Sequence, residues 1–306
     1  MPSGSLFDKL SAKFDEEVLT ALRFEKVPSK LSVIRHHARP TITSLIHTAL
    51  LQGDAVVEVK LALHIASELL SVEETLLGRE VYEIALRQSE VIPNRLQSIF
   101  QQVDAITGMV LCEHKELTAS ETSYDAPMVV SRYLNCLTQL RTALDLLFEM
   151  STRQQEENAW KIINVCKLLY KIGQPLAWYS CGKYIVESFL FAAGAMESVI
   201  NLCTVRHLKF RLKLYSSALY TMLAQGMLPE ARNVLQHLTQ EVTNLVERES
   251  LDPPIPPKIQ AVLSLAQDDM QVLTQLTSFF ENPEDISGVI EFSSTEFGTA
   301  SKMNNM

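Results

Sequence analysis

The chain has 306 residues, of which 47% are hydrophobic and 21% charged, with ten glycines, twelve prolines and a formal net charge of −9. Such a composition builds a large core and excludes a disordered chain, and the length suits one large domain or two ordinary ones. The acidic balance excludes a sequence-wide affinity for nucleic-acid phosphate.

Strand-type alternation is scarce, and long runs of Leu, Ala, Glu, Lys and Gln predict helices almost throughout. The first residues, MPSGSLFDKLSAKFDEE, have no basic head followed by an apolar run and do not read as a secretory signal. At 48–56, TALLQGDAV predicts a helix ending at Gly53, with Asp54 capping the next. Ser71-Val-Glu-Glu74 reads as a capping box in front of a helix over 72–89, and Pro93 opens a segment running to about 116. The polar stretch TASETSYDAP (118–127) reads as an internal loop and a subdomain break.

Helical patterns continue over 128–150, 154–172, 175–192, 195–204, 205–225 and 229–249. LLYKIGQPL (168–176) predicts a helix ending at Gly173, with Pro175 in the first turn of its successor; TMLAQGMLPEA (221–231) repeats that arrangement with Gly226 and Pro229. Each such place predicts two antiparallel helices joined by a short turn. Asp252-Pro-Pro-Ile-Pro-Pro257 reads as a stiff spacer, 258–280 as a last helix and 282–306 as a flexible tail. The expected divisions are therefore 1–117, 128–250, 251–281 and 282–306. The expected fold is all-α: an α-solenoid of antiparallel helical hairpins, tetratricopeptide-like but irregular. Gly173 and Gly226 lie 53 positions apart (226 minus 173), not the ~34 of a tetratricopeptide repeat.

Chemistry is harder to place. The five cysteines stand singly, without a CxxC, and read as reduced, buried thiols. Cys181 with His207 could be drawn as nucleophile and base, but no orienting group accompanies them. Cys112-x-His114 supplies only two metal-ligand types, and Ser180-Cys-Gly-Lys183 lacks the glycine spacing that cradles phosphate. His36-His37, between Arg35 and Arg39, reads as a surface patch. No catalytic, cofactor or metal site and no small-molecule substrate is expected.

The apolar run Phe189–Met196 lies between Glu187 and Glu197 and is too short and too interrupted to span a membrane. Phe189, Phe191 and Met196 around Gly194 instead suggest close helix packing, continued by Leu208, Leu212 and Tyr215 at spacings of four and three. Arg206, Lys209 and Lys213 form a second stripe. Its ordinary reading is a solvated face, and its sharper one is contact with an acidic partner. Trp160, Tyr170, Trp178, Tyr179 and Tyr184 near the expected turn at 173 read as core anchors, with binding hot spots as the alternative, for which Trp178 and Tyr179 are the candidate contacts.

Several of these residues also carry a resemblance. Cys166-Lys-Leu-Leu with Ile172-Gly-Gln174, Glu187-Ser-Phe-Leu-Phe-Ala192, Met196-Glu-Ser198, Arg206-His-Leu208 and Arg211-x-x-Leu214-Tyr215 follow one another over Asn164–Tyr215. In order and spacing they resemble the N-terminal helical domain of the cilia- and flagella-associated protein 54 family, large proteins of the axonemal central apparatus. The resemblance implies a structural, non-enzymatic role in a central-pair projection that supports cilium assembly and motility. It implies large central-apparatus partners, with microtubule association, and a place in the cytoplasm and cytoskeleton at the axoneme of the cilium. It gives Met196, Arg206 and Arg211 roles in fold or contact.

Overall fold

The computed structural model describes residues 5–25, 27–119, 126–177, 182–251 and 254–281. Among these residues every regular element is a helix. The first, α1 (Leu6–Phe14), is started by Ser5: its hydroxyl accepts from the Asp8 amide and the Asp8 carboxylate accepts from the Ser5 amide, closing a capping box. The helix passes through a π-helical turn (Asp15–Leu19) into α2 (Thr20–Phe24). Next come α3 (Pro28–Gln52), α4 (Ala55–Ser71), α5 (Thr75–Ser89) and α6 (Arg95–Ala119).

The expected hairpin at Gly53 is present, and the Asp54 carboxylate accepts the Val57 amide at 2.9 Å to cap α4. The expected capping box at Ser71 is not. There α4 runs to Ser71, whose hydroxyl turns back to the Glu68 carbonyl. The chain reverses through Glu73 in the left-handed region (φ 65°), and the Glu74 carboxylate is taken by the fork of Arg35 at 2.7 and 2.8 Å. A serine, two acids and a helix start resembled a cap, but a cross-helix ion pair had the stronger claim on the carboxylate.

Beyond α6 lie α7 (Pro127–Phe148), the short α8 (Thr152–Glu157), α9 (Ala159–Ala177), a 3₁₀ turn (Gly182–Tyr184), α10 (Val186–Glu197), α11 (Val205–Ala224), α12 (Leu228–Ser250) and α13 (Pro257–Glu281). The hairpin at Gly226 forms as expected: Gly226 takes φ 73°, and Pro229 stands in the first turn of α12. The terminal helix after the prolines also forms. The turn at Gly173 does not exist, because α9 (Ala159–Ala177) continues through Gly173 and Pro175. Gly173 is a packing glycine: a Cβ there would lie 2.7 Å from Cε1 of Phe189 on α10. Likewise α10 runs uninterrupted through Gly194, and 198–204, expected to be helical, is a turn. That turn is held from α8, where the Glu156 carboxylate accepts the amides of Ile200 (2.6 Å) and Asn201 (3.0 Å).

Each helix packs against its sequence neighbours, α3 to α4, α4 to α5, α5 to α6 and α6 to α7. Then α9 lies on α7, α10 on α9 and α11 on α10, with α12 and α13 on α11 and on each other. Contacts also reach past the next helix, α4 with α6, α7 with α10, α9 with α11 and α11 with α13. Helices joined by short turns and stacked this way form an all-α helical-repeat solenoid. The apolar core comes in two parts that meet at α6. Ile99, Val103, Ile106, Val110 and Leu117 of α6 face the core shared with α7–α13, whereas Ala105 and Cys112 face the core of α1–α5. Gly108 lets the Tyr82 ring of α5 lie directly on the α6 backbone, since a Cβ there would come within 2.2 Å of that ring.

Candidate interaction surface

Arg206, Lys209 and Lys213 all lie on the exposed side of α11, spaced three and four residues apart, and none has a carboxylate within ion-pair distance among the described residues. Elsewhere most guanidinium groups are paired, Arg35 with Glu74, Arg39 with Glu80, Arg132 with Glu113 and Glu116, and Arg141 with Glu187. Trp178 and Tyr179, the candidate aromatic contacts, lie outside the described residues, as does Cys181. Trp160 and Tyr184 are each 56% exposed, which overturns their reading as core anchors. Trp160 opens α9 on its wet side, with the Lys161 ammonium 4.9 Å from its ring.

The other face of α11 is interior. Leu208, Leu212 and Tyr215 are buried, as are Phe189 and Met196 on α10. Phe191 is half-buried beneath the Arg141 guanidinium, 5.1 Å from its ring centroid. Gly194 does not pack: it is exposed, and a Cβ there would meet open space. Close approach comes from Ala192, Ala193 and Ala195, all buried, and from Gly173 across the seam.

Sequence reasoning missed a polar cluster that joins α10, α11 and α12. Arg211 is 1% exposed, between Glu197 of α10 at 3.8 Å and Glu241 of α12 at 3.7 Å. Its terminal nitrogens reach the Cys203 sulfur at 3.5 Å and the Cys203 carbonyl at 3.3 Å, which also accepts from Arg248 of α12. Glu197 is shared further: it accepts the Tyr215 hydroxyl at 2.8 Å and contacts the His237 ring nitrogen at 3.0 Å. Burial, then the nearby Glu197 carboxylate, pushes the Tyr215 hydroxyl far above its ordinary range, so it stays protonated and donates to Glu197. A buried guanidinium needs compensation from several directions; α10, α12 and the Cys203 turn supply it at the terminal nitrogens, while Nε has no hydrogen-bond partner among the described residues. The clue in the sequence was the set Glu197, Arg211 and Tyr215, with an acid and a base on otherwise apolar faces.

Little at the thiols suggests chemistry. Burial pushes Cys112, Cys136 and Cys166 up to about 12, so each is overwhelmingly protonated at neutral pH. No group of three or more candidate metal ligands occurs among the described residues, and no described helix is long and apolar enough to cross a membrane.

Paired helices, apolar seams and one polar lock define a helical-repeat protein whose most distinctive residues serve packing. The family model described as Cilia- and flagella-associated protein 54 matches residues 66–231, more than half of the chain. The Cilia- and flagella-associated protein 54 of Chlamydomonas reinhardtii is 27% identical over 166 residues, 54% of this chain. The chain belongs to the Cilia- and flagella-associated protein 54 family, and the match covers 5% of that relative's length. The family match takes in Glu197, Arg211 and Tyr215 and stops short of their α12 partners His237, Glu241 and Arg248.

Proposed function

We propose that the chain is a non-enzymatic scaffold of the ciliary or flagellar axoneme, built into a projection on the central microtubule pair and supporting cilium assembly and motility. The observation that carries this reading is family membership over the described helices from α4 into α12. The way the family-like residues are used agrees with it. Met196 fills the core, and Glu197, Arg211 and Tyr215 tie three helices together, which are tasks of construction. An extended helical array offers its partners long faces. On this reading the partners are other large central-apparatus proteins, with microtubule association through the projection, and the chain resides in the axonemal cytoskeleton. A tagged copy in ciliated cells tests it. Signal retained along the axoneme after detergent extraction is expected; diffuse cytoplasmic signal lost on extraction would point to a cytosolic adaptor and reject the proposal.

A further inference from the structure

The α11 cations are half of a larger feature. Neither α9 nor α11 contains a single Asp or Glu, although the chain as a whole carries nine more acidic than basic groups. The two helices touch, with Tyr170 of α9 meeting Phe210 of α11 edge to face, ring centroids 5.9 Å apart. Beside that contact Lys167 and Lys171 lie on the exposed ridge of α9, and Arg206, Lys209 and Lys213 on the exposed face of α11. None of the five is ion-paired among the described residues, and Lys209 is near enough to Asp269 of α13 to act on that carboxyl. His207, between the two ridges, is held below its ordinary range by burial and then by Arg206, Lys167 and Arg211, so every charge that acts on it is positive. Trp160 at one end of the α9 ridge and Tyr220 on the exposed side of α11 are partly solvent-facing aromatics beside the same surface.

We infer that the joint face of α9 and α11 is a docking site for an acidic peptide segment of another protein. Charge complementarity selects that occupant. Five unpaired cations three to four residues apart along two adjacent helices suit a run of side-chain carboxylates, and a peptide is short enough to engage this face alone. A long polyanion such as nucleic acid would also run over the rest of a chain whose net charge is −9 and be repelled. This deepens the scaffold reading by naming the chemistry of a partner, and its test needs no cilium.

Titration of the purified 306-residue chain with a fluorescein-labelled decaglutamate peptide, read by polarisation, examines it directly. Binding is expected to weaken with added salt and to fall at least about tenfold in a variant carrying K167E, K171E, R206E, K209E and K213E. K9E with K60E, a reversal elsewhere on the surface, should bind like the parent. Because the five side chains are exposed, circular dichroism and melting should be unchanged. Should the reversal variant misfold, the five glutamine substitutions carry the same expectation. Unchanged binding in either folded variant, or tighter binding of the parent chain to a ten-nucleotide oligothymidylate or to phosphatidylserine vesicles than to the peptide, would overturn the inference. Peptide binding by a chain that proves absent from axonemes would reject the scaffold proposal alone.

Discussion

Arg211 is the residue on which three helices agree, and its loss should be costly out of proportion to its size. Arg211→Ala removes a buried cation and leaves Glu197 and Glu241 facing one another across the gap. Breaking such a pair costs about 3–5 kcal/mol, and the partial exposure of both carboxylates places the expectation at the lower end, about 3 kcal/mol by urea unfolding. In a Glu197→Gln background the same substitution should cost less, because one of the stranded charges is gone. His114 gives a pH dependence. Burial, then Lys171, holds it below its ordinary value, so as pH falls through the unfolded value of about 6.5 the unfolded chain takes up a proton that the folded chain refuses. Its contribution is intact above the unfolded value and lost as pH falls through it, and His114→Gln should flatten the fall in urea midpoint as that value is crossed. The individual roles of these residues were only partly legible. Hydrophobic periodicity picked out Leu208, Leu212 and Tyr215, but a lone arginine on that apolar face of α11 carries no sign of which acid, such as Glu241 thirty positions later (241 minus 211), will reach it.

At the scale of elements, turns announced by a glycine needing left-handed backbone or by a capping aspartate were readable: Gly226 with Pro229, and Gly53 with Asp54. Gly173 deceived because glycine has two uses, bending the chain and admitting a neighbour, and only the fold shows which applies. Two alanine substitutions separate these uses. Gly173→Ala forces a methyl group against the buried Phe189 ring and should destabilise by about 1–3 kcal/mol despite alanine's better helix propensity. Gly194→Ala meets nothing within 4 Å and should stabilise α10 by roughly 0.5–1 kcal/mol, both read from thermal or urea unfolding. Trp160 misled in the opposite sense. Aromatic character suggested the core, yet the apolar face of α9 is already filled by Ile162, Val165, Cys166, Leu169 and Ile172, which leaves the indole outside.

For the molecule as a whole, the class of fold was the most legible property, since it needs only helical periods and short connections, while the meeting of two cores within one helix was hidden. Residues 66–231 begin inside α4 and end four residues into α12. A fragment cut at those limits strips buried Val59, Leu61, Ala62 and Ile65 from one end and Leu235, Leu238, Val242 and Leu245 from the other. It should aggregate or melt well below a fragment spanning 55–250, whose ends fall in turns, as differential scanning fluorimetry and light scattering would reveal. The double burial of α6 has a mechanical meaning as well. A helix held on one side by Tyr82 and its neighbours, and on the other by its own apolar row from Ile99 to Leu117 sunk in the core of α7–α13, cannot swing without prising open both cores, so the array should flex elsewhere first. Under sideways strain this segment would behave as a stiff joint that hands tension from the early helices to the later ones undiminished.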